Sequence, residues 1–208
     1  MSFPSTRGVA VITGASAGIG AIYADRLARR GYDLVLVARN AERLDALAAK
    51  LRHETGREVN TLVADLSDKA GMAKVEAVLR ENADITMLVN NAGVGSVASI
   101  LQADVDTMTA MIDLNVTALT RLSYAAAPAF VARGAGTIVN ISSAVAIAVE
   151  ALNGVYSASK AYVLAFGHSL QKDLPIKACR SRRCCRRPPL PSSGTSRATL
   201  RKRRPRAR

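Results

Sequence analysis

Short apolar runs alternate with amphipathic stretches along residues 8–173. Five of the runs are apolar at consecutive positions, as in strands that helices cover on both faces of a parallel sheet. These predicted strands are Val9–Thr13, Asp33–Ala38, Val59–Ala64, Ile85–Asn90 and Thr137–Ser142. Because helical stretches of crossover length lie between them, the pattern predicts an α/β fold with a doubly wound parallel sheet of the Rossmann type, which binds ligands at the carboxyl ends of its strands.

The stretches between the runs have the period of amphipathic helices. One face of the second predicted helix is apolar through Leu44, Leu47, Ala48 and Leu51. A longer helix is predicted over Asp104–Arg133, with apolar residues at core spacing at Met108, Met111, Ile112, Val116 and Leu119. We therefore expect these apolar faces to lie against the sheet.

The first predicted strand runs into a glycine-rich turn, Gly14 to Gly20, with the spacing T-G-x-x-x-G-x-G. Glycine lets the backbone come close to a ligand, and the free N–H groups at the start of the next helix favour an anion. The turn therefore predicts a phosphate site. An ordinary strand–turn–helix corner would give the same local pattern, so this motif alone leaves both interpretations open.

Polar side chains stand where four of the predicted strands end. Arg39 stands at the end of the second strand and Asp65 at the end of the third, whereas Asn90–Gly93 stands at the end of the fourth and Ser142–Ser143 at the end of the fifth. A single polar residue at such a place is often only a turn former. Because the carboxyl ends of parallel strands meet at one edge, four of them in register predict one shared site.

Tyr156 and Lys160 stand four residues apart at the start of the last predicted helix, on one face. A phenol has a pKa of about 10, which a nearby ammonium lowers toward the range that proton transfer to or from a carbonyl or alcohol oxygen requires. Ser143 is placed to donate a hydrogen bond to the same oxygen. A lysine packed along a tyrosine ring would explain the pair by itself, but the combination with Ser143 and the glycine turn favours catalysis.

Five short motifs, in this order and spacing, resemble those of the short-chain dehydrogenase/reductase family. They are TGASAGIG (13–20), NNAG (90–93), Asn115 within DLN, NISS (140–143) and YSASK (156–160). The resemblance covers about residues 7–173. It implies an oxidoreductase that transfers a hydride between a nicotinamide cofactor and a carbonyl or alcohol substrate.

The family pattern implies roles for four residues of this chain. Tyr156 would be the acid/base, and Ser143 would polarise the carbonyl group. Lys160 would hold the cofactor ribose and lower the pKa of the tyrosine, and Asn115 would hold a water molecule in the proton relay. Ser142 is the less favoured serine, because the family separation to the tyrosine is that of Ser143.

The resemblance also implies a cofactor site made by the glycine turn and the strand ends. Its predicted members are Gly14, Ser16, Gly18, Ile19, Gly20, Arg39, Asp65, Asn91, Gly93, Tyr156 and Lys160. Within this set, Asp65 is expected at the adenine amino group. Asn91 and Gly93 are expected on the adenosine side.

Charge at the end of the second strand bears on the choice of cofactor. NAD-selective relatives carry an acid there for the ribose 2′-hydroxyl, whereas this chain has Arg39, with Arg43 close by. A guanidinium pairs well with a 2′-phosphate, so we expect NADP(H). NAD stays open, because Ala17 stands where many NADP-dependent relatives carry a basic residue, and Arg39 alone would also suit a solvated helix entry.

The segment Ala144–Val155 is mostly small and apolar, and it predicts a pocket for a small-molecule substrate with an apolar body. Family members dimerise through the long helix and the helix that bears the tyrosine, so the resemblance implies a homodimer or tetramer. His53 and His168 have no partner at metal-ligand spacing, so we expect no metal site.

Charge divides the chain into two parts. The formal net charge of +13 lies entirely in residues 174–208, because residues 1–173 hold 16 Lys and Arg against 16 Asp and Glu. The tail lacks aromatic residues that stack on bases, so nucleic-acid binding by RKRR (201–204) would be non-specific, and a basic-tailed nucleic-acid binder is the least favoured hypothesis.

No apolar run approaches the ~20 residues that span a bilayer. The N-terminus shows no signal pattern, so we expect no membrane partner and a cytoplasmic protein.

The tail, residues 174–208, departs from the resemblance. A family member would continue with two further strands, but the tail has no apolar period and holds five of the seven prolines, so we expect disorder. We therefore expect a core domain over 1–173, truncated after about the fifth strand and the following helix, with the fifth strand as an unpaired edge. A nucleotide-binding but catalytically impaired domain is accordingly the second functional hypothesis.

An out-of-frame translation would account for this tail. Permissible codons for Cys184–Ala198 can be written so that the overlapping frame spells LLPAATATEFWDIAG, which resembles the family's segment after the sixth strand. The hypothesis requires the encoding DNA to give that string one base out of register.

Overall fold

Parallel strands and the helices between them make up the fold. The structure, a computed structural model, describes residues 7–149, 154–174 and 180–186, the last segment through its backbone alone. The strands are β1 (Val9–Thr13), β2 (Asp33–Ala38), β3 (Val59–Val63), β4 (Ile85–Asn90), β5 (Thr137–Ser143) and β6 (Arg180–Arg186). The helices are α1 (Gly18–Ala28), α2 (Ala41–Thr55), α3 (Lys69–Glu81), α4 (Val105–Ile112), α5 (Leu119–Arg133) and α6 (Gly154–Asp173).

The strands lie in the order β3-β2-β1-β4-β5-β6, and every neighbouring pair is parallel. The chain moves outward from β1 to β3 and then returns to the other side of β1 with β4. The connections that leave β1 and β4 therefore run in opposite directions. A crevice opens between their carboxyl ends, which is where doubly wound sheets bind ligands.

Two apolar layers, one on each face of the sheet, form the core. Alternate residues of a strand point to opposite faces, so Val35 of β2 joins one layer and Leu34 joins the other. The first layer includes Leu79 of α3 and Phe130 of α5, and the second includes Leu44 of α2. This double burial explains the continuous apolar runs in the sequence, and the predicted doubly wound sheet is confirmed.

The bounds of the five predicted strands agree closely with the structure. β1, β2 and β4 have the predicted ends, whereas β3 ends one residue earlier and β5 one residue later. Arg39 directly follows β2, and the polar residue Asn90 ends β4, so in these two strands the apolar run and the strand end together.

The predicted long helix Asp104–Arg133 is present but contains a π-helical turn, Asp113–Ala118, between α4 and α5. A π turn takes in an extra residue, so the side chains near it change direction relative to an α-helix. Met111 is buried as predicted, but the expectation that Ile112 lies in the core is wrong, since it is 43% exposed. Asn115, within the π turn, is buried instead.

A sixth strand lies where the sequence predicts none. The segment Arg180–Arg186 pairs in parallel with β5, from Thr137 opposite Arg180 to Ser143 opposite Arg186. For the described residues, the expectation that β5 is an unpaired edge is therefore wrong. A strand ladder is made by backbone N–H and C=O groups, which any proline-free segment supplies, whereas the sequence pattern reports only side-chain burial.

A buried carboxylate joins α3 to α5. Glu76 accepts hydrogen bonds from Arg80 Nη2 in its own helix at 2.8 Å and from Arg121 Nε in α5 at 2.6 Å, and its side chain is only 5% exposed. Burial by itself raises the pKa of Glu76, but the hydrogen bonds and charges of the two arginines outweigh it, and the pKa is lowered. The ionised carboxylate thus fixes the two helices to each other.

We expect Glu76→Gln to lower the free energy of unfolding by about 2 kcal/mol at neutral pH, because the charge-assisted bonds to both arginines are lost. Since the pKa of Glu76 is lowered in the folded state, this advantage of the wild type is present above the ordinary carboxyl pKa and is lost as the pH falls through the lowered value. Urea unfolding over a pH series measures it. The matched control is Glu81→Gln, an exposed glutamate of the same helix, which should change stability little; equal effects of the two substitutions would contradict the assignment.

Candidate functional site

The turn between β1 and α1 presents backbone rather than side chains. A Cβ added to Gly20 would lie 2.2 Å from the carbonyl oxygen of Gly14, so α1 packs this closely on the turn only with glycine at position 20. Gly18 has a φ of +57°, a conformation that favours glycine, and it faces open space. α1 starts at Gly18 without a side-chain cap from Ala17 and without an acidic residue in its first turn. Its first N–H groups are therefore left for an anionic ligand.

Three adjoining cavities form a groove along the carboxyl ends of the strands. The central cavity, of about 350 Å³, is lined by Gly14, Ala17, Gly18, Ile19, residues 91–95, Ile141, Ser142, Tyr156 and Lys160. The charged cavity, of about 260 Å³, shares Gly14 and Gly93 with it and adds Ser16, Arg39, Arg43 and Asp65. The apolar cavity, of about 200 Å³, shares Tyr156 with the central cavity and adds Ser96, Ala98, Ile100, Ala103, Met108, Gly154 and Val155.

Side-chain hydrogen bonds join β1 and β4 where the groove crosses them. Thr13 Oγ1 donates to the carbonyl of Val89 at 3.2 Å and accepts from the N–H groups of Asn91 and Ala92, each at 3.0 Å. In return, Asn91 Nδ2 donates to the carbonyls of Thr13 at 2.9 Å and Gly14 at 3.1 Å. These bonds hold the glycine turn against the end of β4, which sets one wall of the central cavity.

The charged cavity holds two arginines and an ionised carboxylate. Arg39 Nη1 lies 3.5 Å from Asp65 Oδ2, and the Arg39 side chain is 68% exposed. Asp65 Oδ1 accepts from the Ser67 hydroxyl at 2.5 Å and from the Ser67 N–H at 2.9 Å. The hydrogen bonds from Ser67, and then the charge of Arg39, lower the pKa of Asp65. Because Arg43 lines the same cavity, positive charge exceeds negative charge there.

Lys160 is a buried cation at the central cavity. Its Nζ donates to the carbonyl of Ile141 at 3.0 Å and lies 5.9 Å from the centre of the Tyr156 ring. Ser142 Oγ donates to the Lys160 carbonyl at 2.9 Å, so α6 and the end of β5 are joined twice. Burial lowers the pKa of Lys160 to about 8. The side chain is therefore still mainly protonated at neutral pH, and its charge lies beside the tyrosine.

The two serines at the end of β5 differ in their surroundings. The hydroxyl of Ser142 donates its hydrogen to the main-chain carbonyl of Lys160. Ser143 lies buried at the last position of β5, directly before the short 3₁₀ turn Ala144–Ala146. The structure thus gives Ser142 a role in holding α6, and the polarising role of Ser143 stays a prediction.

Asn115 holds the loop that follows β4. Its Oδ1 accepts from the N–H of Val94 at 2.9 Å, and its Nδ2 donates to the carbonyl of Val94 at 2.8 Å. The second Nδ2 hydrogen goes to Ser159 Oγ at 3.1 Å. Because both side-chain N–H donors are used inside the protein, the predicted water would have to donate to an oxygen of Asn115, either Oδ1 or the main-chain carbonyl.

The apolar cavity agrees only partly with the predicted substrate pocket. Of the segment Ala144–Val155, Gly154 and Val155 line it, and residues 150–153 lie outside the described residues. The other walls come from the loop after β4 and from Met108 of α4, which the sequence pattern assigned to the core. Met108 is half-buried, as expected of a side chain at the edge of a cavity.

Most predicted site residues meet in the groove. All predicted cofactor residues line the central or charged cavity except Gly20, which packs on Gly14. Tyr156 and Lys160 line the central cavity, whereas Asn115 and Ser143 are buried residues of the π turn and β5.

Two residues that shape the site were missed by the sequence analysis, Thr13 and Ser159. Each carries a short hydroxyl group inside a recognised motif, directly before Gly14 and Lys160 respectively. Their partners Asn91 and Asn115 are 78 and 44 residues away along the chain, so no local pattern reveals these contacts.

Metal binding and membrane insertion can be judged for the described residues. No group of three or more His, Cys, Asp or Glu side chains that could hold a metal ion is found in this part of the chain. No helix among the described residues is long and apolar enough to cross a membrane.

Known proteins resemble this chain in both sequence and structure. The family described as short chain dehydrogenase matches residues 8–185, which include α1 to α6 and all of β6 except Arg186. Human 17-beta-hydroxysteroid dehydrogenase type 3 is 36% identical over 172 residues, which are 81% of this chain and 54% of the relative. The chain thus spans about half the length of this curated relative.

Two solved structures are similar over most of the chain. A short-chain dehydrogenase from Sphingobium yanoikuyae in complex with NADPH is 49% identical, with a TM-score of 0.83 over 85% of this chain and 69% of that one. The bulky-bulky ketone specific alcohol dehydrogenase from Comamonas testosteroni is 43% identical, with a TM-score of 0.82 over 85% of this chain and 72% of that one. The resemblance inferred from the five motifs is therefore confirmed.

The lowered pKa of Lys160 makes a prediction about stability. The folded protein binds this proton less tightly than the unfolded chain, so a penalty is fully present below about pH 8 and is lost as the pH rises toward 10.5. Relative to Lys160→Met, the wild type should gain stability over this range by roughly 3 kcal/mol at most. Urea unfolding at several pH values measures the difference. Lys172→Met, at an exposed lysine of the same helix, is the control and should show no such gain; a wild-type curve parallel to that of Lys160→Met would show that the charge carries no penalty.

Proposed function

This chain belongs to the short chain dehydrogenase family, and on that premise we propose that it is an NADP(H)-dependent oxidoreductase. The proposed reaction interconverts a carbonyl compound and the corresponding secondary alcohol. The observation that carries the proposal is one continuous groove in which uncapped helix N–H groups, two arginines and the Tyr156–Lys160 pair lie in succession.

The residues of the groove fit NADP(H). The turn from Gly14 to the start of α1 offers backbone N–H groups for the pyrophosphate. The guanidinium of Arg39 is exposed and only loosely paired with Asp65, so it is available for a 2′-phosphate, with Arg43 beside it. The solved relative from Sphingobium yanoikuyae contains NADPH, which supports the same choice here.

NADP(H), held by the glycine turn and Arg39, would supply or accept the hydride when bound, and residues of the protein would transfer the proton. In reduction, Tyr156 donates its phenolic proton to the substrate oxygen, and in oxidation it takes that proton back. The buried ammonium of Lys160, 5.9 Å from the ring centre, stabilises the phenolate that is left. Ser143 donates a hydrogen bond to the substrate oxygen, which polarises the carbonyl group. After reduction, Lys160 passes a proton toward the phenolate, and a water held by an oxygen of Asn115 replaces the proton that Lys160 gives up.

The apolar cavity beside Tyr156 supports a substrate with an apolar body. It has a volume of about 200 Å³, and its lining among the described residues is mainly apolar, through Ala98, Ile100, Met108 and Val155, with Ser96 and Tyr156 as its polar side chains. The Comamonas testosteroni relative is specific for bulky-bulky ketones, and the human relative is a hydroxysteroid dehydrogenase. We therefore assign ketones with an apolar substituent, and their secondary alcohols, as the substrate class.

A homodimer through α5 and α6 completes the proposal. Tyr162 and Phe166 stack at 5.7 Å, Tyr124 stacks on Phe166 at 6.4 Å, and Tyr124 is 70% exposed. A neighbouring groove of about 460 Å³ between the two helices is lined mainly by apolar residues. Exposed apolar surface of this kind supports association with a second copy.

The main test compares two tyrosines of one helix. Tyr156→Phe should lower the rate of reduction of an apolar aryl ketone by on the order of 10²–10⁴, since only the proton donor is removed. The affinity for NADPH, measured by fluorescence titration, should stay nearly the same. Tyr162→Phe, whose hydroxyl contacts Thr120 Oγ1 at 2.8 Å, is the matched control and should keep full activity. Undiminished turnover in Tyr156→Phe would remove the acid/base assignment, whereas NADPH binding without turnover in the wild type would leave a nucleotide-binding domain.

A second test concerns cofactor choice. Arg39→Gln should weaken NADPH binding about 10- to 100-fold, because a charge-assisted contact with the 2′-phosphate is lost, and should leave NADH binding unchanged. Arg30→Gln removes the same charge at an exposed position beyond the far end of α1 and should affect neither cofactor. An equal loss of affinity for NADPH and NADH in Arg39→Gln would mean that Arg39 does not bind the 2′-phosphate.

A further inference from the structure

Ser159 is a buried hydroxyl that joins three parts of the site. It is 3% exposed, and its Oγ donates to the carbonyl of Tyr156 at 2.7 Å. The same Oγ accepts from Asn115 Nδ2 at 3.1 Å. A serine that bonds back to its own helix is common, but the second bond, to a residue 44 positions earlier, is not explained by helix formation.

The direction of these hydrogen bonds determines the orientation of the Asn115 amide. A hydroxyl has one hydrogen, and the Tyr156 carbonyl takes it, so Ser159 Oγ offers only lone pairs to its other neighbour. The nitrogen side of the amide must therefore face Ser159. The oxygen side is then turned to the N–H of Val94, and the remaining Nδ2 hydrogen reaches the Val94 carbonyl.

The Asn115 amide in turn supports the wall of the central cavity. Val94 lines both the central and the charged cavities. A Cβ added to the preceding Gly93 would lie 2.8 Å from Asn115 Oδ1 and 3.4 Å from Lys160 Nζ, so the loop backbone rests directly on these two side chains. Any rotation of the amide would move the loop and change the space above Lys160.

We infer that Ser159 is a positioning residue, which fixes the Asn115 amide and through it the Val94 backbone that walls the cofactor groove. The chain of bonds runs from the first turn of α6 through the π turn to the loop after β4. The expected effect of Ser159 on cofactor affinity rests on the proposed function, whereas its expected effect on the Val94 loop does not.

The experiment uses two serines of the same motif. Ser159→Ala removes the acceptor for Asn115, and Ser157→Ala is the matched control, because Ser157 is equally buried and its hydroxyl has no hydrogen-bond partner in the described part of the chain. Hydrogen exchange at the Val94 amide, whose N–H is bonded to Asn115, should become about tenfold faster in Ser159→Ala and stay unchanged in Ser157→Ala. The dissociation constant for NADPH should rise about fivefold in Ser159→Ala alone. Ser159→Thr keeps the hydroxyl and should restore both values.

A double-mutant cycle separates positioning from general loosening. If Ser159 acts through Asn115, adding Ser159→Ala to Asn115→Ala should change Val94 exchange and NADPH affinity no further. Additive effects, or equal effects of the Ser157 and Ser159 substitutions, would overturn the inference. If wild type binds no NADPH, the proposed function fails, while the exchange rates at Val94 still decide the role of Ser159.

Discussion

The exchange of hydrogen bonds between Thr13 and Asn91 is the constraint on which the site depends. Parallel strands pair through their backbones, but the chain leaves β1 and β4 in opposite directions, and backbone pairing alone does not fix the loops after these strands. Thr13 and Asn91 tie the first residues of both loops to each other. The glycine turn, α1 and the Val94 loop are therefore placed relative to one another before any ligand is present.

Glu76 and Lys160, two of the buried charged residues in the described part of the chain, differ in what surrounds their charge. Glu76 is neutralised by two arginines, and its ionised form is stabilised. Lys160 donates a hydrogen bond to the main-chain carbonyl of Ile141, and burial disfavours its charged form. The first group serves to hold helices together. The second places an ammonium whose pKa is lowered by burial beside Tyr156, and such shifted pKa values are typical of functional sites.

Most of the fold and of the groove could be predicted from the sequence, because strands buried on both faces leave an apolar signal and strand ends leave a polar one. β1, β2 and β4 were predicted to the residue for this reason. The π turn at Asn115 and strand β6 were not, since neither depends on the period of apolar side chains. Arg39 and Asp65 were predicted in one site, but their contact with each other depends on side-chain conformation, which sequence spacing does not record.

The π turn also determines which way the side chains of α4 point relative to those of α5. Each residue added to an α-helix rotates the next part of the helix by roughly 100°. The extra residue in Asp113–Ala118 therefore lets α4 present Met108 to the apolar cavity while α5 presents Leu122 and Phe130 to the core. The apolar faces of α4 and α5 therefore point in directions that a single α-helix could not combine. Deleting one residue of the π turn would rotate α4 relative to α5, so that either the apolar cavity or the packing of α5 on the sheet would be lost.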